Sequence, residues 1–109
     1  MLPPELVGIT EVDVIEVIGE ECLETNPNIE DYFKVLIWIE DGNFMKYRVT
    51  DRQDNRRVFM FPGRMPTHAE ALYFIVKDKN PNDKGFETAT ITFTKSDGEW
   101  RFKAEYTYN

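Results

Sequence analysis

The last quarter of the chain constrains the fold more than any other part. In FETATITFT, Ala89, Ile91 and Phe93 alternate with Thr88, Thr90, Thr92 and Thr94. After Ser96-Asp97-Gly98, the run EWRFKAEYTY alternates Trp100, Phe102, Ala104, Tyr106 and Tyr108 with charged or polar residues. A period of two puts all the apolar side chains of a strand on one face, and Asp-Gly between two such runs is a tight hairpin turn. A lone hairpin with one apolar face is barely stable in water. The rest of the chain must therefore supply further strands and a layer that covers that face.

Two segments have the spacing of such a layer. Thr10-Glu11-Val12-Asp13 has the form of a capping box with Asp in the third helical position, and the segment it opens ends before Asn26-Pro27. Within it Val14, Ile15, Ile18, Cys22 and Leu23 follow helical spacing, while Asp13, Glu16, Glu20 and Glu24 form an acidic stripe at steps of three, four and four. The run VDVIEVI is rich in β-branched residues, so a strand over residues 12–18 stays open as the rival. The second segment starts at a Thr67/Glu70 capping box, carries Ala69, Leu72, Tyr73 and Val76 at helical spacing, and stops at Asn80-Pro81. Lys77 and Lys79 fall in its last turn, where they oppose the helix dipole.

Between the two helical segments, Phe33 to Ile39 is a nearly continuous apolar run of strand length, interrupted at Lys34. Asp41-Gly42-Asn43 is a turn, Phe44 to Thr50 a second strand and Arg57 to Phe61 a third, which Pro62-Gly63 and Pro66 end. The order is α-β-β-β-α-β-β: an α+β fold with an antiparallel sheet of about five strands and two helices on one face. At 109 residues the whole chain, 1–109, is a single domain.

Charge is sorted along the chain. Residues 1–41 hold eleven acidic residues and one basic residue, a balance of −10; residues 42–109 hold nine and twelve, a balance of +3; together they make the net −7. An acidic field repels phosphate backbones and anionic lipid, which argues against nucleic acid or membrane as the main partner and for a basic protein. No apolar run approaches the ~20 residues of a membrane span. The start, MLPPELVG, lacks the pattern of a secretory signal, and a single cysteine fits a reducing cytoplasm.

Residues that carry chemistry are few. His68, the one histidine, has no nucleophile or carboxylate placed near it by a local motif, and its position suits an exposed helix start. Cys22 lies among apolar helix positions, as a buried structural thiol would. One His and one Cys do not make a first-row metal site, and Asp51, Asp54 and Asn55 lack the spacing and closing glutamate of an EF-hand. There is no glycine-rich phosphate loop. The expectation is a protein that is not an enzyme and has no cofactor.

In FKVLIWIE, Phe33, Val35, Ile37 and Ile39 point one way, and Lys34, Leu36, Trp38 and Glu40 the other. If the helices cover the first face, Leu36 and Trp38 sit on the open side, with Phe44, Phe59 and Phe61 sharing it in one register. That face is covered by loops, or belongs to a strand curling over its own core, or is an aromatic patch rimmed by Arg48 and Arg57, as in a protein-binding surface.

With this element order in about 110 residues, and with the ending TATITFTKSDGEWRFKAEYTYN, the chain resembles the YezG-like immunity proteins; YFKVLIWIEDG matches more loosely. The resemblance implies a small acidic antitoxin encoded beside a polymorphic bacterial toxin, many of which are nucleases. It does not hand over binding residues. The charge leads to the same partner independently, because a nuclease holds a polyanion in a basic site that carboxylates can fill. The expected partner-binding residues are Glu16, Glu20, Glu21, Glu24, Glu30 and Asp31, with Leu36 and Trp38 as packed anchors. The competing explanation of the stripe is solubility alone. The alternative function is a small-molecule-binding or catalytic domain with a pocket between sheet and helices that uses His68 and Trp38. Monomer and homodimer both stay open.

Overall fold

In the computed structural model, which describes residues 3–53 and 63–108, Thr10 and Asp13 settle the nature of the first segment. Thr10 Oγ1 accepts from the Asp13 N–H at 3.1 Å, and Asp13 Oδ2 accepts from the Thr10 N–H at 3.0 Å. The bond from the Thr10 backbone N–H, with a smaller contribution from the Thr10 side chain, holds the Asp13 carboxyl below the ordinary carboxylate range. The helix they open, α1 (Glu11–Thr25), buries Val14, Ile15, Ile18, Gly19 and Cys22, so the strand alternative for residues 12–18 is not what forms. No basic residue precedes Lys34, so α1 lacks a cation to complement its C-terminal dipole. Thr25 and Asn26 side chains instead donate to the carbonyls of Glu21 and Cys22, both at 2.9 Å.

The remaining elements are β1 (Tyr32–Glu40), β2 (Asn43–Thr50), α2 (Met65–Lys79), β3 (Thr88–Ser96) and β4 (Glu99–Thr107). Among the described residues the sheet has four strands, all antiparallel, in the order β2-β1-β3-β4. The expectation of about five strands is reduced accordingly, and the third one expected, Arg57 to Phe61, lies outside the described residues. Both hairpins turn on Asp-Gly, with φ of 50° and 83° at Asp41 and Gly42 and of 53° and 80° at Asp97 and Gly98. Positive φ at both central positions matches the right-handed twist of the flanking strands.

The second capping box does not form. Residue α2 starts from is Met65, two positions before Thr67, and Arg64 caps it without a side-chain bond. Met65 is completely buried, so the core draws in the first turn, and Pro66 fits there because no N–H is needed. Glu70 reaches sideways instead and accepts from the Phe44 N–H at 3.1 Å, tying α2 to β2.

One face of the sheet meets both helices. Phe33, Val35, Ile37 and Ile39 are buried on it, as are Val49, Ala89, Ile91 and Phe93, joined by Ile15, Ile18 and Cys22 of α1 and by Ala69, Leu72, Ile75 and Val76 of α2. Each fully buried Ile, Leu or Phe contributes roughly 1.5–3 kcal/mol. Thr88, Thr90, Thr92 and Thr94 stand on the other face and are more exposed than the residues between them. A bulge corrects one expectation. Trp38 pairs with Lys46 but Ile39 pairs with Phe44, so Met45 is the extra residue and Phe44 turns toward the helices rather than the open face. Phe59 and Phe61 lie outside the described residues.

Candidate functional site

The outer side of α1 carries the acidic stripe. Glu16, Glu20 and Glu24, spaced four apart, are exposed, as are Glu30 and Asp31 beyond the helix. No described basic residue forms an ion pair with Glu16, Glu20, Glu24 or Glu30. Asp31 lies 3.6 Å from Arg52 with both side chains more than half exposed, an arrangement worth little. Glu21 departs from the expected set. It turns inward, and its Oε1 stands 3.1 Å from His68 Nε2, both side chains being mostly buried. The same contact corrects the expectation of an exposed His68.

Beside the stripe, α1 and the β3–β4 hairpin leave a cleft of about 480 Å³. Its floor is Leu23, Phe93, Trp100 and Phe102, and Glu16 and Glu20 stand on its helical side with Arg101 opposite. The helix comes close to the floor because residue 19 is glycine; a Cβ there would lie 2.6 Å from the Phe93 ring. Phe93 in turn stacks on Phe33 at 4.5 Å, and Trp100 meets Phe33 edge-on at 5.4 Å. β4 is an outer strand, so its apolar face is only half covered, and Trp100 and Phe102 are partly accessible. Alternation predicts that Trp100 and Phe102 share the covered face of the hairpin. Their place on the last strand of the hairpin was the available signal that a helix layer would not fully cover them.

Leu36 and Trp38 do not join this surface. They stand on the sheet face away from the helices, partly exposed, with Lys46 Nζ 4.7 Å and the Arg48 guanidinium 5.8 Å from the centre of the Trp38 ring. The structure thus brings together Glu16, Glu20 and Glu24 and separates them from Leu36 and Trp38 by the thickness of the sheet.

The nucleophile and base candidates are both engaged. Burial, with a smaller contribution from Glu21, pushes the Cys22 thiol up to about 12, the reverse of what a nucleophile needs. His68 packs between the helices, on the side of the sheet opposite Trp38, so the two do not share a pocket. A larger cleft, about 560 Å³, lies where Trp38, Met45 and Lys46 meet Tyr73 and Phe86, and His68 does not line it. Among the described residues no three His, Cys, Asp or Glu side chains are grouped to hold a metal ion, and no helix is long and apolar enough to cross a membrane.

The fold and site define a two-layer α+β domain with an acidic helix beside an aromatic cleft. The chain matches no protein-family model, no curated protein and no solved structure.

Proposed function

We propose that the protein is a non-enzymatic immunity protein that neutralises a basic toxin, a nuclease being the class whose active site best suits it. The observation that carries this reading is the set Glu16, Glu20 and Glu24: exposed, in line, without a basic partner among the described residues, and flanking an apolar cleft. Unpaired carboxylates at helical spacing repel one another by a few tenths of a kcal/mol per pair. A partner that supplies the opposite charge removes that cost and gains long-range attraction before contact. The cleft adds what charge alone lacks, a desolvated pocket for one anchoring side chain of the partner. The resemblance of the sequence to the YezG-like immunity proteins supports the same reading. Asp31 and Glu30 extend the surface beyond α1; Glu21, turned to His68, belongs to the scaffold.

The test is binding and inhibition of the basic toxin domain encoded beside this gene, with association and dissociation rates measured at two salt concentrations. Replacing Glu16, Glu20 and Glu24 together by Gln is expected to slow association about tenfold at low salt and to flatten its salt dependence. Replacing Trp100 by Ala is expected to speed dissociation instead. An unchanged association rate and salt slope for the triple variant would reduce the stripe to a solubility device.

A further inference from the structure

We propose that the partner docks on the free edge of β4, as an extended segment with a lysine or arginine at every second position. The proposal deepens the reading of Glu16, Glu20 and Glu24 as a partner surface and rests on it. β4 is an outermost strand, nine residues long and paired to β3 without a bulge. Which of its backbone groups are free follows from the register. The Lys95 N–H donates to the Asp31 carbonyl on the β1 side, so Thr90, Thr92 and Thr94 turn theirs to β4. Their partners Glu105, Lys103 and Arg101 are thereby engaged. The N–H and C=O groups of Trp100, Phe102, Ala104 and Tyr106 point outward, unpaired among the described residues. The opposite edge of the sheet is blunted: β2 is bulged at Met45, and Glu70 takes the Phe44 N–H.

Charge decides what that edge accepts. α1 runs antiparallel alongside β4: the Tyr106 hydroxyl donates to Glu11 near one end, and Gly19, Glu20 and Leu23 meet Trp100 and Phe102 near the other. Glu16 and Glu20 border the cleft between helix and strand. A strand added antiparallel to β4 lies about 4.8 Å farther out, with every second side chain turned to the helix side. Those side chains repeat at about 6.7 Å, and Glu16, Glu20 and Glu24 repeat at about 6.0 Å along α1. Three successive cations therefore follow three carboxylates to within about 1.5 Å. Their aliphatic stems meet the half-covered rings of Trp100 and Phe102. Arg101 borders the same cleft, yet forms no ion pair with Glu16 or Glu20. On its other face β4 presents Glu99, Arg101, Lys103 and Glu105, two of each sign, so charge does not select the remaining side chains of the segment. A second copy paired through β4 would set two acidic stripes against each other across a two-fold axis, which argues against it as the occupant.

The experiment is an anisotropy titration of the intact protein at low salt with a labelled peptide of about nine residues alternating Lys and Thr, the length of β4. One derivative is N-methylated on the lysine amides and another on the threonine amides; a further peptide of the same composition carries its lysines in one block. In the antiparallel pairing the lysines, turned to the helix side, are the residues whose N–H groups donate to β4. Binding is expected to fall at least about tenfold on methylation of the lysine amides and to stay within about threefold on methylation of the threonine amides. It is expected to fall at least about tenfold in the Gln variant of Glu16, Glu20 and Glu24. Ala104→Pro removes one outward N–H, leaves the bonds to β3 in place, and is expected to weaken both the peptide and the neighbouring toxin domain about tenfold. Should that variant melt lower, the methylated peptides, which leave the protein unchanged, decide. No binding of the peptide, equal loss from the two methylations, or equal binding of the block peptide overturns the proposal. Self-association abolished by Ala104→Pro, followed by sedimentation, would make the occupant a second copy and also overturns it. A toxin domain that binds Ala104→Pro as tightly as the wild type overturns the strand pairing and leaves the immunity reading standing. A toxin domain that does not bind, with the peptide pattern as expected, removes that reading and leaves the strand site.

Discussion

His68 Nε2 stands 3.1 Å from Glu21 Oε1, and this contact ties α2 to α1 through side chains only 18% and 21% exposed. It divides the acids of α1 into one that holds the fold and several that face outward. The contact does not have hydrogen-bond geometry, so Glu21→Ala, which removes a mostly buried contact between the helices, is expected to cost about 1 kcal/mol. Gln at Glu16, Glu20 or Glu24 is expected to be neutral or to stabilise by a few tenths of a kcal/mol, since like charges are removed. Urea unfolding of the four variants separates the two groups. Equal stability of Glu21→Ala and Glu20→Gln would show that the His68 contact holds nothing together.

Gly19 is the second position where a helix residue answers to the sheet. Replacing an interior helical glycine by alanine ordinarily gains about 1 kcal/mol. Here the new Cβ would meet Phe93 at 2.6 Å, and Phe93 is held against Phe33 and cannot withdraw without opening that stack. The steric cost is expected to exceed the gain, with a net loss of about 1–3 kcal/mol. A Gly19→Ala protein that melts above the wild type would mean that α1 lies farther from β3.

Trp100 sits at the border between core and cleft. A completely buried Trp loses about 3–5 kcal/mol on truncation to Ala. Trp100 keeps part of its ring accessible and makes its main contact edge-on with Phe33. The expected loss for Trp100→Ala is therefore about 2 kcal/mol, below the core range. A melting temperature within a degree or so of wild type would place the ring outside the packed layer.

Alkaline pH should weaken the fold. The Cys22 thiol, ordinarily near 9.0, is pushed up to about 12 by burial, so between those values the folded chain binds a proton that the unfolded chain has lost. Stability is then fully present below about 9 and falls as the pH climbs toward 12. Tyr106, raised by burial and by its hydrogen bond to Glu11, adds a loss of the same sign above its ordinary 10.0. Cys22→Ala should flatten the first part of this decline in a series of unfolding curves. In the native protein at pH 8, a thiol reagent should modify Cys22 no faster than the protein opens; rapid labelling would contradict its burial.

Local patterns carried much of the fold. The alternation of β1, β3 and β4, the two Asp-Gly turns and the Thr10–Asp13 box are determined by neighbours in the chain, because the strand period, a two-residue turn and a cap each depend on a few adjacent residues. The exposed line of Glu16, Glu20 and Glu24 belongs to the same class, since helical spacing alone groups it. What depended on packing between distant segments was not legible. Met65 moved the start of α2 ahead of its apparent cap, one extra residue at Met45 turned Phe44 to the opposite face, and Glu21 turned inward to His68, away from the expected binding set. Alternation alone places Leu36 and Trp38 opposite Phe33, Val35, Ile37 and Ile39; that the helices cover the latter face, leaving Leu36 and Trp38 on the side away from α1, is decided by packing between distant segments. The acidic helix was written in local spacing; the aromatic cleft beside it exists only because the tertiary fold chooses which side of each strand the helices cover.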